Sequence, residues 1–258
     1  MSRSRSVSRL WLSLTLLVLP LLWAQASGGA PAPEDVVVGI YVDEGAHPTC
    51  VSYAIDMFEW MGFAHREVRA RDVNLGLLVD LTAIYFPGGD SPPYIHRISH
   101  GGKAKLLKAV EAGLLYIGTC AGSMFAAEVQ DWEGVRYVDG QLGVFRGDAV
   151  GPAPGISDQE WCYTMLSTNS SPAAGPDTPP EVEVLWFNSP CLEADPSAET
   201  QTLATYVEIG EPAIVAQRRG AGGSLLTGPH PEYADEHGWA FMLDCVLWTL
   251  GWMAEEAP

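Results

Sequence analysis

The segment around Cys120 constrains the fold most, because an apolar run leads directly into two closely spaced glycines. Residues 114–117 are apolar, and Gly118-Thr119-Cys120-Ala121-Gly122 follows at once. This pattern is typical of a nucleophile elbow, in which a strand turns sharply into a helix and exposes one strained side chain. The glycines permit the tight turn, and the N-terminus of the following helix favours the thiolate form of a cysteine. The sequence therefore predicts that Cys120 is a nucleophile at the end of a strand.

Strand and helix patterns alternate through the first half of the chain. The β-branched run at 36–42 is typical of a strand buried on both faces. Pro48 suits the first turn of a helix that continues to about Met61. Further strands are predicted at 63–68, 81–86 and 114–117, and a helix at 103–112. This alternation predicts an α/β fold with a mainly parallel central sheet flanked by helices on both faces, which is a flavodoxin-like arrangement.

Ligands of such folds bind at the carboxyl ends of the parallel strands. We therefore expect three loops to share one rim of the sheet, namely residues 43–47, 87–90 and 118–122.

The second half of the chain is less regular. Residues 141–150 indicate a strand or hairpin, and 151–180 is rich in Pro, Ser and Gly, which predicts mostly loop. Strands are predicted at 182–187, 202–209, 213–217 and 225–227, and an apolar helix at 241–252. No repeat or charge run divides the chain, so we expect a linker at 27–35 and a single domain at 36–254.

The first residues are typical of a secretory signal peptide. Arg3, Arg5 and Arg9 precede an apolar stretch at 10–23, and Ala24-Gln25-Ala26 supplies a small-residue cleavage site. The apolar stretch is shorter than the roughly 20 residues that span a bilayer, and no cysteine precedes Cys50 to carry a lipid. We therefore expect cleavage after residue 26, export to the periplasm or the medium, and no membrane association afterwards.

The chain is strongly acidic, with a formal net charge of −18. Loss of three arginines with the signal peptide leaves 11 bases against 32 acids, which is −21. Such a charge disfavours nucleic acid as a partner, so we expect a small-molecule or peptide substrate. No cofactor is expected, and the irregular spacing of Asp43, Glu44 and His47 argues against a metal site. The oligomeric state stays open.

Five cysteines in an exported chain raise the question of disulfides. If Cys120 is a free nucleophile, Cys50, Cys162, Cys191 and Cys245 could form two bridges in any of three pairings. A Cys162–Cys191 bridge is preferred, since both lie in segments predicted as loops. The alternative is that some of the four are buried small apolar residues.

A cysteine nucleophile needs a base, and the base needs a group that orients it. His230 and Glu232 are predicted for these roles, because residues two apart on an extended loop point to the same side. The oxyanion of acyl transfer needs donors, for which we expect the amide of Ala121 and that of Gly88 or Gly89. Asp90 and Tyr94 are candidates for substrate contacts, although simple surface solvation fits them as well.

These motifs together resemble the class I glutamine amidotransferase-like superfamily. More narrowly, the chain resembles the family named for the N-terminal domain of eukaryotic biotin-protein ligases, from about residue 36 to 248. The residues that carry the resemblance are Pro87-Gly88-Gly89-Asp90, Pro93-Tyr94, Tyr116 to Gly122, Phe187-Asn188, Leu203-Ala204-Thr205-Tyr206 and Leu226 to Glu232. One stretch departs from the family pattern: Phe187-Asn188-Ser189-Pro190 stands where Tyr-Asn-Gly-Gly is expected.

The resemblance implies a Cys-His-Glu triad of Cys120, His230 and Glu232. It does not imply biotinylation, because the sequence contains no Gly-Arg-Gly-Arg-x-Gly adenylation motif. Ammonia transfer to a partner synthase suits an exported protein poorly, so hydrolysis of an amide or related C–N bond is the preferred activity. The alternatives are a non-catalytic binding module with a vestigial triad, a peptide hydrolase of the protease or cyanophycinase type, and a redox or carbonyl-detoxifying thiol protein.

Overall fold

The computed structural model describes residues 29–255, in which thirteen strands and six helices are found. The predicted signal peptide lies outside this range. The helices are α1 (Pro48–Trp60), α2 (Ala70–Leu75), α3 (Ser91–Arg97), α4 (His100–Glu111), α5 (Ala121–Ala126) and α6 (Glu236–Ala254). The strands are β1 (Val37–Tyr41), β2 (Ala64–Val68), β3 (Ala83–Phe86), β4 (Leu115–Thr119), β5 (Ala127–Trp132), β6 (Val135–Tyr137), β7 (Phe145–Gly151), β8 (Trp161–Ser167), β9 (Glu181–Phe187), β10 (Cys191–Ala194), β11 (Thr200–Tyr206), β12 (Pro212–Arg219) and β13 (Gly222–Thr227).

The first five strands of the large sheet are parallel, in the order β2-β1-β3-β4-β13. Every residue of β3, β4 and β13 is buried. Strands covered on both faces read as continuous apolar runs rather than as alternating patterns, which is why the sequence predicted β1, β3 and β4 correctly. The loops after these strands lie at the same edge of the sheet.

The other half of the large sheet is antiparallel and continues in the order β12-β11-β8-β9. The sheet therefore has four parallel and four antiparallel pairings, and the prediction of a mainly parallel sheet is wrong. The physical reason is connection length. Only residues 220–221 separate β12 from β13. Two neighbouring strands joined by so short a turn must be antiparallel, because parallel strands need a crossover connection of a dozen or more residues.

A second sheet, in the order β10-β7-β5-β6, covers the α2–α5 side of the antiparallel half. It is joined to the large sheet by Gln217 of β12, whose side-chain Nε2 donates to the carbonyl of Arg146 at 3.0 Å. The sequence predicted only β7 of these four strands. β6 is fully exposed and β5 is partly so, and therefore neither carries a clear apolar pattern.

Helices cover both faces of the large sheet, as predicted. α1 and α6 pack on one face in a core that includes Phe58, Trp186 and Phe241. α2, α3, α4 and α5 pack on the other face, around Phe86 and Tyr116. No helix in residues 29–255 is both long and apolar enough to cross a membrane.

The region 151–180 is not wholly loop, because it contains β8. Pro, Ser and Gly residues surround this strand and led to the loop prediction, whereas its own sequence, Trp-Cys-Tyr-Thr-Met-Leu-Ser, is rich in aromatic and apolar residues. α3 was also missed. It begins with Ser-Pro-Pro, and proline is tolerated in the first turn of a helix because the amide there has no intrahelical partner.

All five cysteines are free thiols. The preferred Cys162–Cys191 bridge is therefore wrong. Cys162 lies on β8 of the large sheet, whereas Cys191 lies on β10 of the second sheet. Cys191 is buried, and its thiol faces the carbonyl of Val150 at 3.6 Å. Cys50 and Cys245 are buried too, so the alternative of small apolar residues describes three of the four.

Gly122→Ala should destabilise the protein, because the new Cβ would lie 2.0 Å from the carbonyl oxygen of Phe86, a backbone atom that has no room to move. We expect a loss of about 2 kcal/mol in the free energy of unfolding, measured by urea denaturation. Gly101→Ala is the matched control, since its Cβ would meet nothing within 4 Å. This helical substitution should stabilise the protein by up to about 1 kcal/mol. Equal stability of the two variants would contradict this account of the elbow.

Candidate active site

Cys120 occupies a strained backbone position between β4 and α5. Its φ of 48° and ψ of −105° lie where residues with a side chain are rarely found. The amide of Cys120 donates to the carbonyl of Thr227 at 2.9 Å, and the amide of Met124 donates back to the carbonyl of Cys120 at the same distance. These bonds hold the turn in a conformation that it would not adopt alone. The predicted nucleophile elbow is therefore present.

The elbow depends on close backbone approach. A Cβ on Gly118 would lie 2.8 Å from the carbonyl carbon of Gly122, so neither turn position tolerates a side chain. Ser123 strengthens the junction of β4 with β13, because its hydroxyl lies 2.8 Å from the carbonyl oxygens of both Gly118 and Thr227. The geometry explains why small residues surround Cys120 on both sides.

His230 and Glu232 form a buried pair directly after β13. The amide of His230 donates to the carbonyl of Leu185 at 2.8 Å, which ties this loop to β9. His230 Nδ1 lies 2.8 Å from Glu232 Oε1. His230 is 3% exposed and Glu232 is completely buried within a single 3₁₀ turn, Pro231–Tyr233. The predicted orientation of these two residues to the same side is therefore correct.

The pKa of His230 is set by burial and by its neighbours. Burial alone would lower the pKa, but the carboxylate of Glu232 and, after it, contacts with Cys120 and Cys50 outweigh burial and raise the pKa well above the usual value. His230 Nε2 makes no hydrogen bond with any group of residues 29–255, although it is fully buried. The imidazole thus favours its protonated form, with one nitrogen held by Glu232 and the other still available.

The thiol of Cys120 is partly exposed, and its Sγ lies 3.8 Å from the carbonyl oxygen of Phe187. Cys120 is also among the neighbours that raise the pKa of His230. The structure therefore brings Cys120 together with His230 and Glu232 from two distant segments of the chain. Their catalytic roles remain predictions.

A cavity of about 610 Å³ opens in front of Cys120. Its walls come from the elbow, the N-terminal part of α3, the β5–β6 hairpin and the loop after β9. It is lined by Gly89, Asp90, Ser91, Pro92, Ile95, His96, Cys120, Ala121, Met124, Gln130, Trp132, Tyr137, Asp139, Gln141, Phe187 and Asn188. Three of the predicted site residues besides Cys120 are among them: Gly89, Asp90 and Ala121.

The loops at 43–47 and 87–90 are joined by backbone hydrogen bonds. His47 donates to the carbonyl of Gly88 at 3.0 Å, and Asp90 donates to that of Gly45 at 2.8 Å. Gly89 has a φ of 149°, and a Cβ there would lie 2.1 Å from the carbonyl oxygen of Gly45. Since residues 89 and 90 also share the cavity with the elbow, the prediction of one common rim is confirmed.

The two predicted oxyanion glycines have different surroundings. Gly89 lines the cavity, whereas Gly88 is packed against the imidazole: a Cβ on Gly88 would lie 2.3 Å from His230 Cε1. Gly89 and Ala121 are therefore the backbone positions next to Cys120 on the cavity side. Gly88 instead provides the room that the His230 ring needs.

Tyr94 does not line the cavity. The structure therefore does not place it where it would contact a substrate. It is completely buried, and its hydroxyl donates to the carbonyl of Pro87 at 2.9 Å. The ring packs against Tyr41 and Phe86. Tyr94 therefore supports the Pro87-Gly88-Gly89 turn from below, while Asp90 is exposed at the cavity.

Asp43, Glu44 and His47 each have a structural role. Asp43 accepts hydrogen bonds from two backbone amides, and Glu44 pairs with Arg97 at 3.2 Å. His47 Nδ1 accepts from the amide of Thr49 at the start of α1. These contacts account for the three side chains within the fold.

Cys50 is the residue of the site that sequence reasoning missed. Its Sγ lies 3.9 Å from His230 Nδ1 and 3.8 Å from the hydroxyl of Tyr233, on the side of the imidazole that faces Glu232. Cys50 is on α1, 180 positions before His230. No motif or spacing in the sequence connects the two, and only the fold brings them together.

The stretch that departs from the family pattern forms a wall of the cavity. Asn188 has a φ of 46°, and Ser189 stabilises the turn, because its hydroxyl accepts from the amide of Phe187 at 3.1 Å. The carbonyl of Ser189 accepts from the indole of Trp186 at the same distance. Phe187 and Asn188 both face the cavity, and the departure therefore lies where a ligand would be recognised.

Comparison with known proteins agrees with the fold. A crystal structure of a glutamine amidotransferase superposes with a TM-score of 0.61, covering 81% of this chain and 98% of that one at 21% identity. This likeness shows a glutamine amidotransferase-like fold.

Two curated proteins are similar in sequence. An uncharacterized protein of Chlamydia muridarum is 28% identical over 213 residues, which are 76% of this chain and 80% of the relative. The biotin–protein ligase of Schizosaccharomyces pombe is 28% identical over 172 residues, which are 59% of this chain and 26% of the ligase. The chain thus spans about a quarter of that enzyme's length.

The family model described as "Biotin-protein ligase, N terminal" matches residues 36–240. This range begins just before β1 and includes Cys120, His230 and Glu232. The protein therefore belongs to the biotin-protein ligase N-terminal domain family, within the glutamine amidotransferase-like fold.

Proposed function

We propose that this protein is an exported hydrolase in which Cys120, His230 and Glu232 cleave an amide or related C–N bond. One observation carries the proposal: a strained cysteine opens into a cavity beside a buried His–Glu pair. A strained backbone is costly, and so is a buried carboxylate. Their occurrence together at the carboxyl edge of the parallel strands favours a catalytic role over a structural one.

The proposed reaction has two stages. Cys120 Sγ attacks the carbonyl carbon of the substrate, and the amides of Ala121 and Gly89 stabilise the developing oxyanion. His230 donates its Nε2 proton to the leaving nitrogen, the C–N bond breaks, and an acyl-thioester remains on Cys120. Water then attacks the thioester while His230 accepts its proton, which releases a carboxylic acid and restores the thiolate. Glu232 stabilises the imidazolium and orients the ring throughout.

The cavity favours a substrate that is neutral or positively charged. Its lining contains the carboxylates of Asp90 and Asp139 and no lysine or arginine. Trp132, Tyr137 and Phe187 add apolar surface. Gln141 also faces it, and both polar atoms of its side chain are buried without a partner among residues 29–255. These groups suit a ligand with an apolar part and hydrogen-bonding groups but without an anionic end.

A non-catalytic binding module is the second candidate, and one observation favours it. Cys120 Sγ contacts the carbonyl of Phe187, while His230 Nε2 makes no hydrogen bond. A working base must receive the proton of its nucleophile through a short contact, although such contacts often tighten only when substrate binds. The reactivity of the thiol separates the two candidates.

Iodoacetamide should label Cys120 rapidly in the purified protein at neutral pH, because a neighbouring imidazolium stabilises the reactive thiolate. We expect His230→Ala to slow labelling at least roughly tenfold, since the thiolate and not the thiol is the nucleophile. Intact mass spectrometry measures the rate.

Cys120→Ser identifies the labelled site, and Cys162→Ser serves as the control for a partly exposed thiol outside the site. Circular dichroism verifies that each variant is folded. Glu232→Gln tests the residue that orients the base. Slow labelling that does not depend on His230 would contradict the hydrolase and favour the binding module.

The stability of the protein should depend on pH through His230. Its folded pKa is raised, so its contribution is fully present below the unfolded pKa of about 6.5 and is lost as pH rises through the folded pKa. We expect the free energy of unfolding to decrease across that upper range. In Glu232→Gln the decrease should be smaller, because the partner charge is gone. Urea denaturation at a series of pH values measures this, and an equal decrease in both proteins would refute the ion pair.

Substrate charge should control turnover. The test uses three chromogenic amide substrates with the same acyl chain. The free end of this chain carries an amine, a carboxamide or a carboxylate. We expect kcat/KM to be at least about tenfold lower for the carboxylate, as two nearby carboxylates repel it. Asp139→Asn should reduce the difference in kcat/KM between the carboxylate substrate and the other two. Fastest cleavage of the carboxylate would overturn the proposed substrate class without affecting the triad.

A further inference from the structure

Three buried side chains that do not line the cavity meet at Nδ1 of the His230 ring. One ligand atom each from Cys50, His230 and Glu232 lies within 4.8 Å of the other two. We propose that this trio is a Zn²⁺ site, formed by Cys50 Sγ, His230 Nδ1 and the Glu232 carboxylate. Thiolate, imidazole and carboxylate are the ligands that zinc takes in proteins.

The distances between the ligand atoms suit a zinc ion after small side-chain movements. Cys50 Sγ lies 3.9 Å from His230 Nδ1, which in turn lies 2.8 Å from Glu232 Oε1. Zinc bonds of about 2.0–2.3 Å place neighbouring ligand atoms roughly 3–4 Å apart. Glu232 Oε2 is buried and makes no hydrogen bond within residues 29–255. A second carboxylate oxygen is thus available to the metal at no cost in lost contacts.

Gly88 packs directly against two of the three ligands. A Cβ at this position would lie 2.3 Å from His230 Cε1, 3.0 Å from His230 Nδ1 and 3.3 Å from Cys50 Sγ. Any side chain here would therefore push the imidazole and the thiol out of their present positions. Tyr233 is partly exposed, and its hydroxyl lies 3.8 Å from Cys50 Sγ. Tyr233 is thus a partly exposed side chain in direct contact with a member of the trio.

Charge balance also supports the site. A thiolate, a carboxylate and a neutral imidazole together carry −2, which Zn²⁺ neutralises, and a neutral cluster is the form that a buried environment tolerates best. Binding forms three metal–ligand bonds and releases two protons, one from the Cys50 thiol and one from Nδ1 of the imidazolium. No electron transfer is involved. The high negative charge of the chain favours the approach of a cation.

Zinc at this site would switch off the proposed hydrolase, a consequence that rests on the proposed function. A neutral imidazole that binds zinc through Nδ1 carries its remaining proton on Nε2. Nε2 then cannot accept a proton, so His230 no longer serves as base for Cys120 or for the attacking water. Zinc binding itself requires no catalytic activity, so the two proposals are tested separately.

The test is zinc binding by the purified, chelator-treated protein. We expect about one Zn²⁺ per chain by equilibrium dialysis and metal analysis. Cys50→Ala should weaken binding by at least about tenfold, because it removes a ligand. Cys120→Ser and the control Cys162→Ser should bind as the unmodified protein does. Co²⁺ in place of Zn²⁺ should give a thiolate charge-transfer band that is retained in Cys120→Ser and lost in Cys50→Ser.

The variants also define the results that would overturn the site. Loss of binding in Cys120→Ser with retention in Cys50→Ala would place the metal on the elbow cysteine. Absence of stoichiometric binding by the unmodified protein would refute the site altogether. If Cys50→Ala fails to fold, the conservative variant Cys50→Ser decides: loss of the Co²⁺ band in folded Cys50→Ser supports the site, and retention of the band overturns it. Zinc binding by a protein that cleaves no amide even after a chelator has removed the zinc would support the metal site and count against the hydrolase.

Discussion

The parallel pairing of β4 with β13 is the contact on which the candidate site depends. Their register places Thr119 beside Thr227, so the elbow and the histidine loop leave the sheet side by side although they are more than a hundred residues apart. The amide of Cys120 and the hydroxyl of Ser123 both approach the carbonyl of Thr227. The same hydrogen bonds that end this strand pair therefore also hold Cys120 in its strained conformation. A change that disturbs the pairing of β4 with β13 would also disturb the position of Cys120.

A buried carboxylate links the chemistry of the site to its stability. Glu232 has no exposed surface, and a buried charge is tolerated only when a partner neutralises it. The imidazole of His230 is that partner, which raises the pKa of His230. Cys50 approaches the same nitrogen from α1. The nitrogen Nδ1 is thus the position where the orienting carboxylate, the proposed metal and the charge of the base meet, while Nε2 faces the nucleophile side.

The cavity shows how a shared fold acquires its own specificity. The elbow, the Gly89 turn and the histidine loop follow strands of the parallel half of the sheet. Much of the remaining wall comes from β5, β6 and the loop after β9, including Phe187 and Asn188, where the sequence departs from the family pattern. A fold does not by itself fix a function, which depends on the residues of the site. The acidic and aromatic lining of the cavity is therefore the part of the structure that bears on the proposed substrate.

The sequence by itself determined the parallel strands, the elbow at Cys120 and the His230–Glu232 pair, because each depends on local features: continuous apolar runs, glycines at a fixed spacing, and two residues only two positions apart. The loop that carries this pair was predicted as extended, whereas the structure forms a 3₁₀ turn there. Only the tertiary structure decided the antiparallel half, the second sheet, the burial of Tyr94, the free thiols and the approach of Cys50 to His230. These depend on which distant strands pair and which side chains then share a cavity. The loop prediction at β8 was wrong because Pro, Ser and Gly residues flank this strand in the sequence. The strand is stabilised by pairing with its neighbours β9 and β11. Residues that meet across 180 positions leave no pattern in a single sequence, since nothing local requires them to be there.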